Sequence, residues 1–266
     1  MLYLRILSAL IGIPVIIGAV YFGGPWYAML ILLIVNLGIY EYNKILKAGN
    51  YYVPLVVNYL GVTLFIVVIF FEKYALILPL VMFLFFVLFT FTLLNMETIN
   101  ITDSALALWG IIYLGGLCGY LLMLRMLPDG AFFTYILLAG VWLNDTLAYF
   151  IGVKWGSRLF APQISPKKSL EGSLAGISGT VLIFFSGAIL LPNVVPLSPV
   201  QAILLALGIT VFAQLGDLME SALKRQLQVK DSGGIIPGHG GVLDRFDSMM
   251  LAAPFVYYAF TLFDML

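Results

Sequence analysis

One apolar tract of the sequence carries a line of polar side chains that could do chemistry. Asp217, Glu220, Ser221 and Lys224 follow one another at positions i, i+3, i+4 and i+7, which places them on one face of a helix. An acidic side chain at the centre of a membrane helix costs about 2.5–3.5 kcal/mol on insertion scales. We therefore expect these groups to face a polar cavity or a bundle interior, although an Asp–Lys pair that only joins helices has the same spacing. Asp145 interrupts another apolar tract in the same way.

The segment 223–247 that follows is rich in glycine and contains two more carboxylates. Glycines reach backbone conformations in which consecutive N–H groups point at an anion. Asp244 and Asp247 stand at i and i+3 near the predicted start of the next helix, so both can point the same way. The glycines, which surround the single histidine His239, are Gly233, Gly234, Gly238, Gly240 and Gly241.

Carboxylates close to phosphate-binding amides favour Mg²⁺, which binds through one or two carboxylates together with substrate phosphates. The basic residues Lys224, Arg225, Lys230 and Arg245 accompany them. These cations suit a polyphosphate, and the alternative is that they anchor the protein at lipid headgroups. For His239 we favour a phosphate contact over general-base catalysis, with a plain hydrogen bond to the backbone as the alternative.

Several catalytic motifs are absent from the sequence. It contains no G-x-x-x-x-G-K-[ST] phosphate loop, no H-E-x-x-H zinc site and no G-x-S-x-G nucleophile turn. Kinase-like and hydrolase-like families of those kinds are therefore disfavoured.

The composition restricts the elements that hold these residues. Of 266 residues, 62% are hydrophobic and 10% are charged, and the net charge is zero. Soluble domains have roughly 45–50% hydrophobic and 25% charged residues, so an ordinary soluble globular protein is excluded. The zero net charge argues against nucleic acid as a partner, and the abundant aromatic residues exclude disorder.

A transmembrane helix needs about 20 mostly apolar residues, and the sequence predicts an all-α, polytopic transmembrane bundle of about nine such helices. Turn formers separate many of the tracts, and three glycines at the start of the seventh tract, Gly172, Gly176 and Gly179, have the spacing of close helix packing. The predicted tracts are 5–22, 26–46, 53–71, 75–95, 104–124, 132–153, 173–192, 199–222 and 248–264.

The basic residues predict the orientation, because cytoplasmic loops collect Lys and Arg. With a cytoplasmic N-terminus, eleven of the thirteen lie on the cytoplasmic side, and only Lys73 and Arg125 lie opposite. Two long cytoplasmic loops, 154–172 and 223–247, hold eight of the eleven. We therefore expect residues 1–131 to be a scaffold and residues 132–266 to be the catalytic region.

Two stretches resemble the phosphatidate cytidylyltransferase family, also called CDP-diacylglycerol synthases. The run from Ser221 to Asp247 is similar to the family signature over all 27 of its positions, which makes the match very specific. The second stretch comprises Asn144-Asp145, Ala148-Tyr149 and Gly152, then Ile164-Ser165-Pro166-Lys167-Lys168-Ser169 and Glu171-Gly172. The N-terminal half matches only in hydropathy.

The resemblance implies Mg²⁺-dependent transfer of a cytidylyl group from CTP to phosphatidate, with K⁺ as a possible second ion. On this basis we expect a multi-pass enzyme of the cell (inner) membrane, a homodimer, whose site opens to both the cytoplasm and the lipid. The expected metal ligands are Asp217, Asp244 and Asp247, with Asp145 as a ligand or close neighbour. The expected catalytic residues are Asp217, Asp244 and Asp247 together with Lys224 and Arg245. The expected CTP site is Ser221, Arg225, Lys230, His239, Gly240 and Gly241, with Lys224 also near the CTP phosphates. The expected phosphatidate site is Ser165, Lys167 and Lys168.

Two other functions fit part of the pattern. A Mg²⁺–CTP site does not name its acceptor, which could be another lipid phosphate or a polyprenyl alcohol. A secondary transporter would use Asp145, Asp217 and Glu220 as ion-coupling groups. Transporters built from repeats usually have corresponding segments in both halves, but the first half of this chain contains no second copy of either loop motif.

Overall fold

The computed structural model describes residues 2–229, 231–238 and 240–263, and its architecture is almost entirely helical. The prediction of an all-α protein missed one short hairpin. In chain order the elements are α1 (Leu2–Phe22), α2 (Gly24–Ala48), α3 (Leu55–Phe70), a 3-10 turn (Tyr74–Leu76), α4 (Ile77–Leu94), α5 (Ile101–Ile111), a π-helical turn (Ile112–Gly116), α6 (Leu117–Met126), α7 (Gly130–Trp155), β1 (Leu159–Ala161), β2 (Ser165–Ser169), α8 (Leu170–Leu190), α9 (Pro199–Gln226) and α10 (Leu243–Phe263).

Each of the nine predicted apolar tracts coincides with a helical segment. By length and composition, six helical segments in the described part of the chain can cross a membrane, and the shorter apolar helical segments are Ile6–Phe22, within α1, and Leu55–Phe70, which is α3. The protein is therefore a multi-pass membrane protein. The total of nine crossings and the cytoplasmic N-terminus stay predictions. The six segments are Gly24–Ala48, Tyr74–Leu94, Ile101–Met126, Gly130–Trp155, Leu170–Leu190 and Pro199–Gln226.

The turns between helices form where the sequence places residues that tolerate positive φ. Gly23 and Gly24 have φ of 62° and 47°, and Pro25 follows in the first turn of α2, where a missing N–H carries no cost. Asn50 and Asp129 have φ of 63° and 55°, conformations that Asn and Asp adopt more readily than most residues.

The chain divides into two compact units, Met1–Ala131 with Leu223–Phe246, and Phe132–Ala222 with Asp247–Leu266. The first unit thus includes most of the glycine-rich segment 223–247, which the sequence analysis assigned to the catalytic region. The proposed roles of scaffold and catalytic region concern function, and the division into units does not test them.

In the first unit, α2 packs on α3 and on the continuous helix formed by α5, the π-helical turn and α6. Tyr42 is fully buried, and its hydroxyl donates a hydrogen bond to the Leu106 carbonyl at 2.8 Å. Arg125 donates from Nε to the Val20 carbonyl at 2.6 Å, at the C-terminal end of α1, where a cation satisfies free carbonyls and the helix dipole.

In the second unit, α8 packs closely on α7 through its glycines. A Cβ added at Gly176 would lie 2.6 Å from Oδ1 of Asn144 and 2.9 Å from its carbonyl oxygen, and one at Gly172 would lie 2.6 Å from the Ala148 carbonyl. Gly179 likewise faces Leu147. The predicted role of these glycines in helix packing is confirmed.

The loop 154–172 folds into an antiparallel hairpin of β1 and β2, in which Leu159 pairs with Ser169 and Ala161 with Ser165. The Glu171 carboxylate closes its base, because it accepts hydrogen bonds from the Ser157 hydroxyl at 2.6 Å and from the backbone N–H groups of Ser157 and Arg158. Ser169 caps α8 by accepting from the Gly172 N–H, as N-cap serines do. The hairpin therefore fixes residues 165–169 at the N-terminus of α8.

The glycine contact between α7 and α8 gives a stability prediction. Gly176→Ala forces its Cβ against Asn144, whereas Gly187→Ala on the same helix meets only Val195 Cγ2, at an ordinary 3.6 Å. We expect G176A to lower the free energy of unfolding by about 1–3 kcal/mol and G187A to leave it unchanged or raise it slightly. Thermal unfolding of both purified variants in detergent measures this, and equal stability of the two would contradict the packing.

Candidate active site

The second unit contains a cavity of about 400 Å³, a size typical of small-molecule sites. Four residues predicted to bind metal or phosphatidate line it: Asp145, Lys167, Lys168 and Asp217. Ser165, at the start of β2, is not one of its lining residues. The other lining residues are Asn144, Ala148, Tyr149, Gly152, Val153, Phe160, Ser169, Gly172, Ser173 and Gln214.

Asp217, in α9, is held by two partners within this unit. The Lys168 ammonium forms an ion pair with its Oδ2, and about a third of each side chain stays exposed to solvent. The Ser221 hydroxyl, one helical turn later, donates to Oδ1 at 3.3 Å. Lys168 and Asp217, predicted for different substrates or ions, therefore contact each other directly.

A polar network lies beside this pair. Gln214 Nε2 donates to Oδ1 of Asn144 at 2.9 Å and to the Ser173 carbonyl at 3.1 Å. Ser173 in turn donates from its hydroxyl to Oε1 of Gln214, and Asn144 Nδ2 donates to Oδ1 of Asp145 at 3.0 Å. Because Asn144 is 1% exposed and its amide is fixed from both sides, the network orients the exposed carboxylate of Asp145.

The first unit contains the glycine-rich segment. Ile236 and Gly240 form an antiparallel bridge with N···O distances of 2.9 and 3.2 Å, and Gly238 and Gly240 have φ of 78° and 88°. The Gly240 N–H therefore donates to Ile236, and the Gly241 N–H donates to Oδ2 of Asp244 at 3.0 Å. Both amides expected to bind phosphate thus organise the segment itself, and phosphate binding by them stays a prediction.

Asp244 forms a second ion pair within this unit. Lys224 Nζ lies 2.6 Å from its Oδ1, and the two side chains are 13% and 15% exposed. Burial alone would raise the pKa of Asp244, but hydrogen bonds from Lys224 and from the Gly241 amide outweigh it, so the pKa lies below its ordinary value of 3.8. Asp244 is therefore ionised at neutral pH.

The remaining predicted residues have different surroundings. Asp247 is 6% exposed and accepts from the Ser248 N–H at 2.6 Å, whereas Arg225 and Arg245 are exposed. Lys230 and His239 lie outside the described residues. In residues 2–229, 231–238 and 240–263, no three His, Cys, Asp or Glu side chains are grouped as metal ligands would be.

Comparison with known proteins shows which family the chain belongs to. The model of a family described as the cytidylyltransferase family matches residues 3–263. The chain belongs to this family. The resemblance that the sequence segment Ser221–Asp247 indicated is thereby confirmed.

Curated relatives in the cytidylyltransferase family carry the name phosphatidate cytidylyltransferase. A Synechocystis relative is 33% identical over 96% of this chain and 94% of its own length. Relatives from Bacillus subtilis and Staphylococcus haemolyticus are 41% and 39% identical, over 66% and 64% of this chain. In those two matches the chain covers slightly less than two thirds of the relative's length, 65% and 64%.

Sequence reasoning missed three polar residues that the structure brings to these sites in this member of the cytidylyltransferase family. Ser173 and Gln214 line the cavity, and nothing in their spacing distinguishes them from other polar residues in helices. Glu41 is fully buried in α2, where its Oε2 accepts from the Leu243 N–H at 2.8 Å. Its signal was available, since it is an acidic residue inside an apolar tract, as are Asp145 and Asp217.

The Lys224–Asp244 pair gives a pH-dependent stability prediction. Lys224→Met leaves a mostly buried carboxylate without its cation, and we expect the free energy of unfolding at neutral pH to fall by roughly 1–3 kcal/mol. A carboxylate with a lowered pKa contributes stability above its ordinary pKa of 3.8, and this is lost as pH falls through the folded-state value. The difference between wild type and K224M should therefore shrink below that pH.

Thermal unfolding in detergent across this pH range measures the effect. Lys73→Met, at an exposed lysine, is the matched control and should behave as wild type. A K224M protein as stable as wild type at neutral pH would show that the pair contributes nothing.

Proposed function

We propose that this protein is an integral membrane enzyme that converts CTP and phosphatidate to CDP-diacylglycerol and pyrophosphate. The observation that carries the proposal is the 33% identity over 96% of the chain to a relative named phosphatidate cytidylyltransferase. The apolar helices support it, because phosphatidate remains in the bilayer and its enzyme must meet it there.

The reaction needs little acid–base catalysis. The second pKa of a phosphate monoester is near 6, so phosphatidate is largely ionised at neutral pH. Its phosphate oxygen attacks the α-phosphorus of CTP, the bond from that phosphorus to the bridging oxygen breaks, and pyrophosphate leaves with the electron pair. The barrier comes from bringing two polyanions together and from charge on the leaving group, a matter of positioning and electrostatics.

We assign the phosphatidate headgroup to the cavity of the second unit. Lys167 and Lys168 line it beside the exposed aromatic residues Tyr149 and Phe160, which combines cations for a phosphate with apolar surface for acyl chains. Lys168 can exchange its contact with Asp217 for one with the phosphate. Ser165, one residue before Pro166 on β2, is proposed as a neighbouring donor.

We assign the CTP phosphates to the glycine-rich segment and to α9. Lys224, Arg225, Lys230 and Arg245 supply positive charge, Ser221 and His239 supply donors, and Gly240 and Gly241 supply a closely approachable backbone. Arg225 and Arg245 are exposed and can move toward a phosphate. Arg245 can serve either substrate.

Divalent metal, proposed as Mg²⁺, would be held by Asp217, Asp244 and Asp247, with Asp145 as a ligand or neighbour. The donors fit, since Asp217 and Asp244 each already contact a cation through a carboxylate oxygen, and carboxylates are the protein ligands that Mg²⁺ prefers. Bound metal would neutralise charge on the phosphates. These ligands come from both units, so the proposal that they bind one metal site rests on the sequence pattern. The proposal that K⁺ joins Mg²⁺ rests on the family resemblance.

The proposed setting is the cell (inner) membrane, with the site facing the cytoplasm. The excess of Lys and Arg in loops 154–172 and 223–247 supports this orientation. A homodimer, with CTP, phosphatidate and membrane lipid but no nucleic acid as partners, completes the proposal.

The direct test of the acceptor uses purified protein in detergent micelles. With CTP and Mg²⁺ we expect CDP-diacylglycerol from phosphatidate and no comparable product from polyprenyl alcohol or other lipid phosphates, and we expect EDTA to stop the reaction. A preferred acceptor other than phosphatidate would overturn the substrate assignment. Mg²⁺-independent solute uptake by the protein in sealed lipid vesicles, without CTP consumption, would indicate a transporter.

The metal assignment predicts which carboxylates the reaction needs. Asp217→Asn, Asp244→Asn and Asp247→Asn keep the side-chain shape but weaken metal binding, and each should lower turnover by about 10²–10³-fold or more while the protein still purifies folded. Asp129→Asn, at an exposed turn residue with φ of 55° that Asn tolerates, is the matched control. Full activity of D244N or D247N would refute the assignment.

A further inference from the structure

Glu41 is a buried acid that the proposed reaction does not use. It lies in α2 with none of its surface exposed, and Oε2 accepts from the Leu243 N–H at 2.8 Å. Among the described residues, no hydrogen-bond donor reaches Oε1. A carboxylate buried this way is costly unless its contacts compensate, so its surroundings indicate what it does.

The first contact of Glu41 is with the start of α10. Leu243 is the first residue of that helix, and its N–H is one of the backbone donors that a helix cannot satisfy internally. A carboxylate at this position also interacts favourably with the helix dipole. The next residue is Asp244, so the bond at Leu243 fixes the helix turn that carries the Lys224 ion pair.

The second contact of Glu41 is with the first and last glycines of the glycine-rich segment, Gly233 and Gly241. A Cβ at Gly241 would lie 2.6 Å from Glu41 Oε2, and a Cβ at Gly233 would overlap Oε1. The Ile236–Gly240 bridge lies between these glycines. The segment therefore folds back with both glycines against one carboxylate. The carboxylate fills the space beside Gly233, and it fills the space beside Gly241 together with the Ser232 hydroxyl.

We propose that Glu41 is a positioning residue for the nucleotide site: its carboxylate is the acceptor that holds the glycine-rich segment and the start of α10 in place. It acts through the backbone and touches no substrate. The proposal that this segment binds CTP rests on the proposed function, whereas the positioning of the segment does not.

Hydrogen exchange tests the positioning without any substrate. In Glu41→Leu the Leu243 N–H loses its acceptor, and we expect amides of 240–246 to exchange about tenfold faster or more than in wild type. Glu41→Gln keeps an acceptor oxygen and should stay within about threefold. Asn43→Leu, two residues along α2, is the matched control; Asn43 is also buried, but it accepts from Asn58, so 240–246 should exchange as in wild type.

A second variant covers the case in which E41L does not fold. Gly233→Ala places a Cβ against the Glu41 carboxylate and should also speed exchange in 240–246. Unchanged exchange in that segment in either variant that folds, or equal acceleration in N43L, would overturn the positioning role.

Steady-state kinetics test whether Glu41 affects CTP binding. We expect E41L to raise the KM for CTP about tenfold or more, with the KM for phosphatidate within about twofold, and E41Q to restore most of the loss. A purely structural role would lower the active fraction and leave the KM for CTP unchanged, which would overturn the link. If wild type itself consumes no CTP, the proposed function fails, while the exchange result still decides the positioning.

Discussion

The free-energy cost of an ionised group in apolar surroundings constrains this protein throughout. Only 10% of its residues are charged, and three acids that lie within or next to the helices have defined partners. Asp217 pairs with Lys168, Asp244 with Lys224, and Glu41 accepts from the start of α10. Each contact offsets the desolvation of a carboxylate, and each also ties a loop or a helix end to a rigid helix.

Hydrogen bonds and ion pairs of carboxylates hold both loops in place. In the second unit, Glu171 closes the β1–β2 hairpin and thereby presents Lys167 and Lys168 at the cavity. In the first unit, Glu41 and Asp244 accept backbone N–H groups of the glycine-rich segment. A carboxylate bound to a lysine or to amides in this way is also suited to exchanging that partner for a metal or a phosphate, which is why the same groups can serve structure and chemistry.

The sequence predicted the helices well and the partners of their charges poorly. Apolar tracts about 20 residues long locate every helix, because length and hydropathy decide helix formation in a bilayer. The signature from Ser221 to Asp247 identified the family, and the acids Asp145 and Asp217 were found because charge inside an apolar tract is unusual. Spacing along one helix could not reveal that Lys168 reaches Asp217, that Gln214 contacts Asn144, or that Glu41 lies under Leu243, since those contacts join residues far apart in sequence.

The central claim is that the α-phosphorus of CTP is transferred to phosphatidate, and the position of the label in the product tests it most directly. Purified protein with Mg²⁺ and phosphatidate should incorporate label from α-³²P-CTP into CDP-diacylglycerol and release label from γ-³²P-CTP as pyrophosphate in equal amount. Transfer of the γ-label to lipid, which would mark a CTP-dependent kinase, or no transfer of either label, would contradict the claim.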